Sequence, residues 1–182
     1  KFIDMDPIHW GIEFYSVFDE KQREDRGFDV IVGNPPYVGF KDAKKFERQI
    51  FEQKYSDIYN GKNDYLYYFL DRSIDLLGEN GRLGYIISRY FLEADFGDKL
   101  RNKLNSETEI NYIIDFYGVR TIFPELSIDP LVLGFTKKEH SNKRFNAARV
   151  SYQSKNLSVR EMLDYVFKAL DEHKNNEYVE YN

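Results

Sequence analysis

A chain of 182 residues is long enough for one domain with a real core, and its 42% apolar content is ordinary for a globular protein. A net charge of −5 gives no overall basic excess, so if the chain acts on nucleic acid most of the phosphate grip must come from elsewhere. The absence of cysteine removes disulfides and thiolate metal sites, and no apolar run approaches membrane-spanning length.

Aromatic content is high at 17%, from 15 Tyr, 15 Phe and one Trp, which fits either a well-packed core or a surface that stacks bases. His9, His140 and His173 are far apart in sequence, show no ligand spacing and read as surface or structural residues. The first residue is Lys1, no signal peptide is visible, and the chain reads as a piece of something longer in the cytoplasm.

In chain order, residues 1–27 form a lead-in, partly extended over Ile8 to Phe14 and charged from Asp19 to Arg26. Phe28 to Gly33 reads as a buried strand, short, apolar and bounded by glycine. It stops at Asn34-Pro35-Pro36-Tyr37. Two successive prolines fix two φ angles and remove two donors, and proline pushes the residue before it out of the α region. Asn34 is then held extended at a strand tip, the Pro35 carbonyl has a set direction, and Tyr37 adds a flat face. An amide oxygen, a rigid carbonyl and an aromatic plate suit a flat ligand with an exocyclic amino group. A strand followed by a Pro-rich loop with no such role reads the same way, because turn residues cluster after strands generally.

A helix is predicted over 42–55, a turn at Asn60-Gly61, and a second helix capped by Asn63-Asp64. On that helix Tyr65, Leu66, Phe69, Leu70, Ile74 and Leu77 recur on one face, and Gly78 and Asn80-Gly81 end it. Strands follow at Leu83 to Ser88, Ile110 to Phe116 and Leu131 to Thr136, with a helix over Phe96 to Leu104. Strand, helix, strand, helix, strand implies a mostly parallel α/β sheet. The last two strands lack a helix between them and are expected to pair antiparallel at one edge. Ligands of such sheets bind at the carboxyl ends of strands, where Asn34 to Tyr37 stand. After Lys138 the chain turns polar and basic, with a short strand expected over Val150 to Gln153 and a helix from Ser158 to about His173.

The run Gly27-Phe28-Asp29-Val30-Ile31-Val32-Gly33-Asn34-Pro35-Pro36-Tyr37 resembles the catalytic strand of amino-methylating DNA methyltransferases, nearest to the TaqI-like, type IIG restriction–modification N6-adenine family. Asn63 to Phe69 resembles the family's next helix, and Leu77 to Ser88 its glycine turn and following strand. Ile122-Phe123-Pro124 with Leu131 to Leu133 resembles its late aromatic motif, and Trp10 to Phe18 a segment just upstream. The resemblance spans about 8–138. It implies a partial class I, Rossmann-like, S-adenosylmethionine-dependent methyltransferase fold, with 28–138 as its catalytic half and 139–182 as a linker and the start of a helical or target-recognition module.

By position in that family, Asn34 and Pro35 accept hydrogen bonds from the amino group of a flipped adenine. Pro36 completes the motif and Tyr37 stacks on the base. Phe123 adds a second aromatic contact or is a core residue before a proline turn. Asn34 and Phe69 would face the cofactor, S-adenosylmethionine, unless Phe69 is a core residue of its helix; Asp64 reads as a cap rather than a ligand. The family's Gly-rich cofactor loop and acidic residue do not occur before residue 28, so the cofactor-binding half is expected upstream and target recognition downstream in a full-length parent acting on double-stranded DNA. The fragment alone would then bind the cofactor weakly. The same motif serves methylation of a protein glutamine amide, and a non-catalytic α/β interaction module retaining it is a third reading. No metal and no membrane contact are expected.

Overall fold

A computed structural model describes residues 8–19, 26–119, 122–123, 128–138, 145–150, 158–172 and 179–181. Its centre is a six-stranded sheet formed by β1 (Phe28–Gly33), β2 (Leu77–Ser88), β3 (Thr108–Asp115), β4 (Pro130–Lys137), β5 (Asn146–Val150) and β6 (Val179–Tyr181), in the order β1-β2-β4-β3-β5-β6. β1 runs parallel to β2, and β3, β5 and β6 are mutually parallel. The antiparallel strand is β4. It lies between β2 and β3 and pairs antiparallel with both, whereas the sequence pattern puts the antiparallel pair at an edge. The order of strands depends on long-range pairing, which the local pattern does not encode.

The helix α4 (Tyr65–Leu76) lies on one face of the sheet with α6 (Asp98–Glu107), which follows the short helix α5 (Tyr90–Glu93). Leu66, Leu70 and Ile74 recur at helical spacing and meet Leu83, Tyr85 and Ile87 of β2 and Leu131, Leu133 and Phe135 of β4, which recur at spacing two. Burying each such aliphatic side chain stabilises by about 1.5–3 kcal/mol. Part of the aromatic excess packs next to this core: Phe51 of α3 (Lys45–Lys54) and Tyr55, which follows that helix, pack on Tyr68, with the Phe51 and Tyr68 rings 4.1 Å apart.

Among the described residues the other face is covered by a helix toward β5. There α7 (Val159–Glu172) sets Met162, Val166 and Leu170 against Ile114, Phe116, Ala148 and Val150. The sheet therefore continues past Lys138, and β5 begins at Asn146 where a polar connection is expected. Residues 151–153, expected to be extended, and the neighbourhoods of His140 and His173 lie outside the described residues.

Three local readings change. Trp10–Glu13 and Tyr15–Phe18 are short helices, α1 and α2, rather than extended chain; Trp10, Phe14 and Phe18 close around Phe28 with ring centroids 5.2–6.1 Å away. α4 ends at Leu76, and Leu77 opens β2, whose irregular start contains Asn80 at φ 60°. β1 is not buried: Val30 and Val32 are 60% and 75% exposed, because β1 is an edge strand that pairs only with β2 among the described residues.

Candidate active site

Asn34-Pro35-Pro36-Tyr37 leaves the carboxyl end of β1, as the motif predicts. Pro35 is buried, Tyr37 half-buried, and Asn34 exposed with no side-chain hydrogen bond among the described residues. A buried proline beside an exposed amide anchors the backbone and leaves the amide oxygen accessible to a ligand.

The loop is held by its neighbours rather than by its own turn. The Tyr37 hydroxyl donates to the Ile86 carbonyl on β2 at 3.5 Å. The Tyr65 backbone N–H donates to the Val38 carbonyl, and the Phe40 N–H donates to Asp64 Oδ1, both at 3.0 Å. Asp64 stands at the start of α4, yet its carboxylate makes no cap bond to the helix and bonds the loop that follows Tyr37 instead. Asp64 is thus the N-cap of α4 by position, as the sequence predicts, and what changes is the partner of its side chain. Burial pushes the Asp64 carboxyl above its ordinary value, the Phe40 N–H pulls it back, and Asp42 adds to the rise. Asn63, itself buried, accepts from the Asn60 N–H and donates to the Phe96 carbonyl. The Tyr65 hydroxyl donates to Glu47 Oε2 at 2.8 Å and joins α3 to α4. Burial, then that carboxylate, pushes the Tyr65 phenol up to about 12.

Tyr37 and Phe123 come together. Their ring centroids are 5.9 Å apart at 65°. Phe123 belongs to the β3–β4 connection, and the preceding Ile122 packs against the α7 core. Burial raises the Tyr37 phenol above its ordinary value of 10, which keeps the hydroxyl protonated and leaves the ring as a flat aromatic face.

Phe69 is 45% exposed on α4. It lines a cavity of about 590 Å³ along the open edge of β1, shared with Trp10, Phe14, Val30, Val32 and Arg72. Among the described residues no carboxylate lines this cavity. A second, polar cavity of about 660 Å³ opens at the carboxyl ends of β2 and β3 and includes Arg89, Tyr117, Asp129 and Arg149.

The frame is thus an α/β sheet with one antiparallel strand inserted among parallel ones, and Asn34 to Tyr37 stand at the carboxyl end of its edge strand β1. Residues 3–123 match the Eco57I restriction-modification methylases. The chain belongs to the Eco57I restriction-modification methylase family. Against a member of that group, the Escherichia coli type II restriction enzyme and methyltransferase RM.Eco57I, it is 36% identical over 121 residues, covering 65% of this chain and 12% of that protein. A Listeria monocytogenes protein described as a class I S-adenosylmethionine-dependent methyltransferase superposes with a TM-score of 0.57 at 13% identity, over 80% of this chain and 42% of that one. A Vibrio vulnificus YJ016 protein described as a modification subunit of a type I restriction enzyme reaches 0.61 at 16% identity, over 88% and 35%. At these identities the structural likeness is one of fold, and the expected class I architecture is borne out. The chain spans less than half the length of each.

Within the Eco57I-family chain, sequence reasoning named Asn63 and Asp64 as a cap but missed their bonds to the Phe96 carbonyl and the Phe40 N–H, and it missed an ion network on Asp115. Asp115 accepts from Arg89 Nε at 3.2 Å and from Arg149 Nε and Nη2, each at 3.1 Å. The available signal was an ionisable residue ending an Ile-Ile run, mirrored by Arg89 just after Ile-Ile-Ser. His9 is the one described histidine, and no group of three His, Cys, Asp or Glu side chains suited to a metal occurs among the described residues. No helix among them is long and apolar enough to cross a membrane.

Proposed function

We propose that the full-length protein carrying this chain transfers a methyl group from S-adenosylmethionine to the N6 amino group of an adenine flipped out of double-stranded DNA. The observation that carries this reading is the exposed Asn34 amide beside a Tyr37–Phe123 aromatic pair at the carboxyl end of β1. The family, whose relatives are restriction–modification enzymes, supplies the DNA context.

When bound, S-adenosylmethionine supplies the electrophilic methyl. The chain's own residues prepare the amino nitrogen. Asn34 Oδ1 and the Pro35 carbonyl accept its two N–H groups, which localises the lone pair on nitrogen and fixes its direction. Tyr37 stacks on the adenine and Phe123 closes it from the edge, an arrangement open to a flipped base and closed to a stacked one. No strong base is needed, since the acceptors stabilise the charge that develops as the nitrogen becomes cationic, before it releases a proton.

The cavity along β1 suits part of the cofactor. Phe69 and its apolar neighbours fit a flat ring, but among the described residues no carboxylate lines it for sugar hydroxyls. On this reading the cofactor's polar groups are held by a half of the fold that docks along the bare edge of β1, with target recognition supplied by a further module. The 182 residues alone then bind the cofactor weakly.

The test is labelled-methyl transfer by the full-length protein to duplex DNA, followed by digestion to nucleosides. Label on N6-methyladenosine supports the reading. Asn34→Ala should reduce it by about a hundred- to a thousandfold without unfolding the protein. Label on protein glutamine instead of DNA would replace the substrate, and an undiminished Asn34→Ala variant would remove the chemistry.

A further inference from the structure

Asp115 ends β3 and is almost fully buried, its side chain 9% exposed, yet it accepts from two guanidinium groups carried by different strands' ends. Arg149 stands opposite it on β5, and Arg89 follows β2 directly. Both guanidinium groups also lie over the Tyr117 ring, 4.7 Å away for Arg89 and 5.9 Å for Arg149. Tyr117 opens the β3–β4 connection that carries Phe123. Both ends of that connection are fastened at the same place. The Phe116 N–H donates to the Pro130 carbonyl, the Gly118 N–H to Asp129 Oδ1 and the Arg89 N–H to the Asp129 carbonyl, each at 3.0 Å. Phe116, Val119 and Ile122 then pack into the α7 core, leaving Phe123 beside Tyr37.

A buried ion network is poor value as stability alone, because apolar residues of similar volume stabilise as well or better; its best use is to fix one geometry. A phosphate grip does not fit either. Around the polar cavity Arg89 and Arg149 face Asp115, Glu93 and Asp129, so no positive excess is left for an anion.

We infer that Arg89 and Arg149, joined on Asp115 and stacked on Tyr117, are positioning residues that seat the β3–β4 connection so that Phe123 meets the base held by Tyr37. The inference rests on the proposed adenine reading for its effect on transfer, but its geometric content does not. Arg89 bears most of the work because it reaches both ends of the connection, through its side chain at Asp115 and Tyr117 and through its backbone at Asp129.

Two measurements on the full-length protein test it. In a W10F/F123W background the introduced indole reports the seat of the connection, and R89Q or Y117L should shift its emission to the red and increase its quenching by acrylamide. In the otherwise native protein R89Q should lower kcat for methyl transfer by about ten- to a hundredfold, the cost of a misplacement near 1 Å, while KM for S-adenosylmethionine stays within about twofold. R89K, which keeps the charge on Asp115 but loses the planar stack on Tyr117, should fall between. An unshifted indole with an unchanged kcat would overturn the inference. So would a kcat loss that tracks a lowered melting temperature and is fully restored by cooling, since that is a purely structural role. Absence of transfer by the wild-type protein would overturn the adenine reading instead, and the indole would still decide the seat.

Discussion

The two ends of one sheet face are built differently. At the β5 end α7 covers it, and Ile114 and Ala148 are 0% and 1% exposed. At the β1 end Val30 and Val32 stand 60% and 75% exposed beside an open apolar cavity, and the Asn34–Tyr37 loop is held there by hydrogen bonds to β2 and α4. Strand sequences of the same apolar character thus meet opposite fates. The difference teaches that burial belongs to the helix that lies across a strand, and that the β1 end of this sheet takes its order from polar anchors rather than packing.

Truncation is the strongest way to break that comparison. Ile114→Ala should cost about 2–5 kcal/mol, the range for a fully buried aliphatic side chain that leaves a cavity, read by denaturant unfolding. Val32→Thr should stay within about 0.5 kcal/mol, as an exposed substitution does. Equal losses at the two positions would mean that β1 is covered after all, which in the full-length protein is what docking of a further half predicts.

A smaller effect probes the middle of the face. Gly84 and Gly134 are paired across β2 and β4, and the Tyr112 ring lies over them, its hydroxyl 3.8 Å from where a Cβ at 84 would stand. A Cβ at 134 would fall 2.3 Å from the ring. Gly134→Ala should therefore cost about 1–3 kcal/mol through overpacking, seen as a lowered melting temperature.

The smallest effect sharpens the β1 side. The Asp64 carboxyl is held above its ordinary value of 3.8 chiefly by burial. Its ionised form is thus penalised in the fold. The penalty is absent at low pH, where the group is protonated folded and unfolded; it builds as pH rises from 3.8 through the folded value and is complete above it. Asp64→Asn keeps an oxygen for the Phe40 N–H and removes the charge. The variant should be more stable at neutral pH by no more than about 0.5 kcal/mol, given partial exposure, with the gap closing as pH falls toward 3.8 in urea titrations.

What the sequence made legible follows the range of the physics involved. Asn34 to Tyr37 was legible because two prolines set the backbone locally, and the apolar face of α4 because Leu66, Leu70 and Ile74 keep one period. The placement of β4 inside the sheet, the exposure of Val30 and Val32, and the Asp115 network depend on partners distant in sequence and leave no periodic trace. The side-chain bond of Asp64 was missed for a subtler reason: its position is that of a cap, but the backbone N–H of Phe40, brought up by the loop, competes for its oxygen and wins.

The Tyr112 ring across Gly84 and Gly134 has one more consequence. These three positions cannot drift independently. A methyl group at 134 is admissible only after the ring at 112 has become small, and a small residue at 112 leaves two bare glycines that a larger neighbour must then refill. Across descendants of this chain the three should change together or not at all, a coevolving unit at the centre of the sheet.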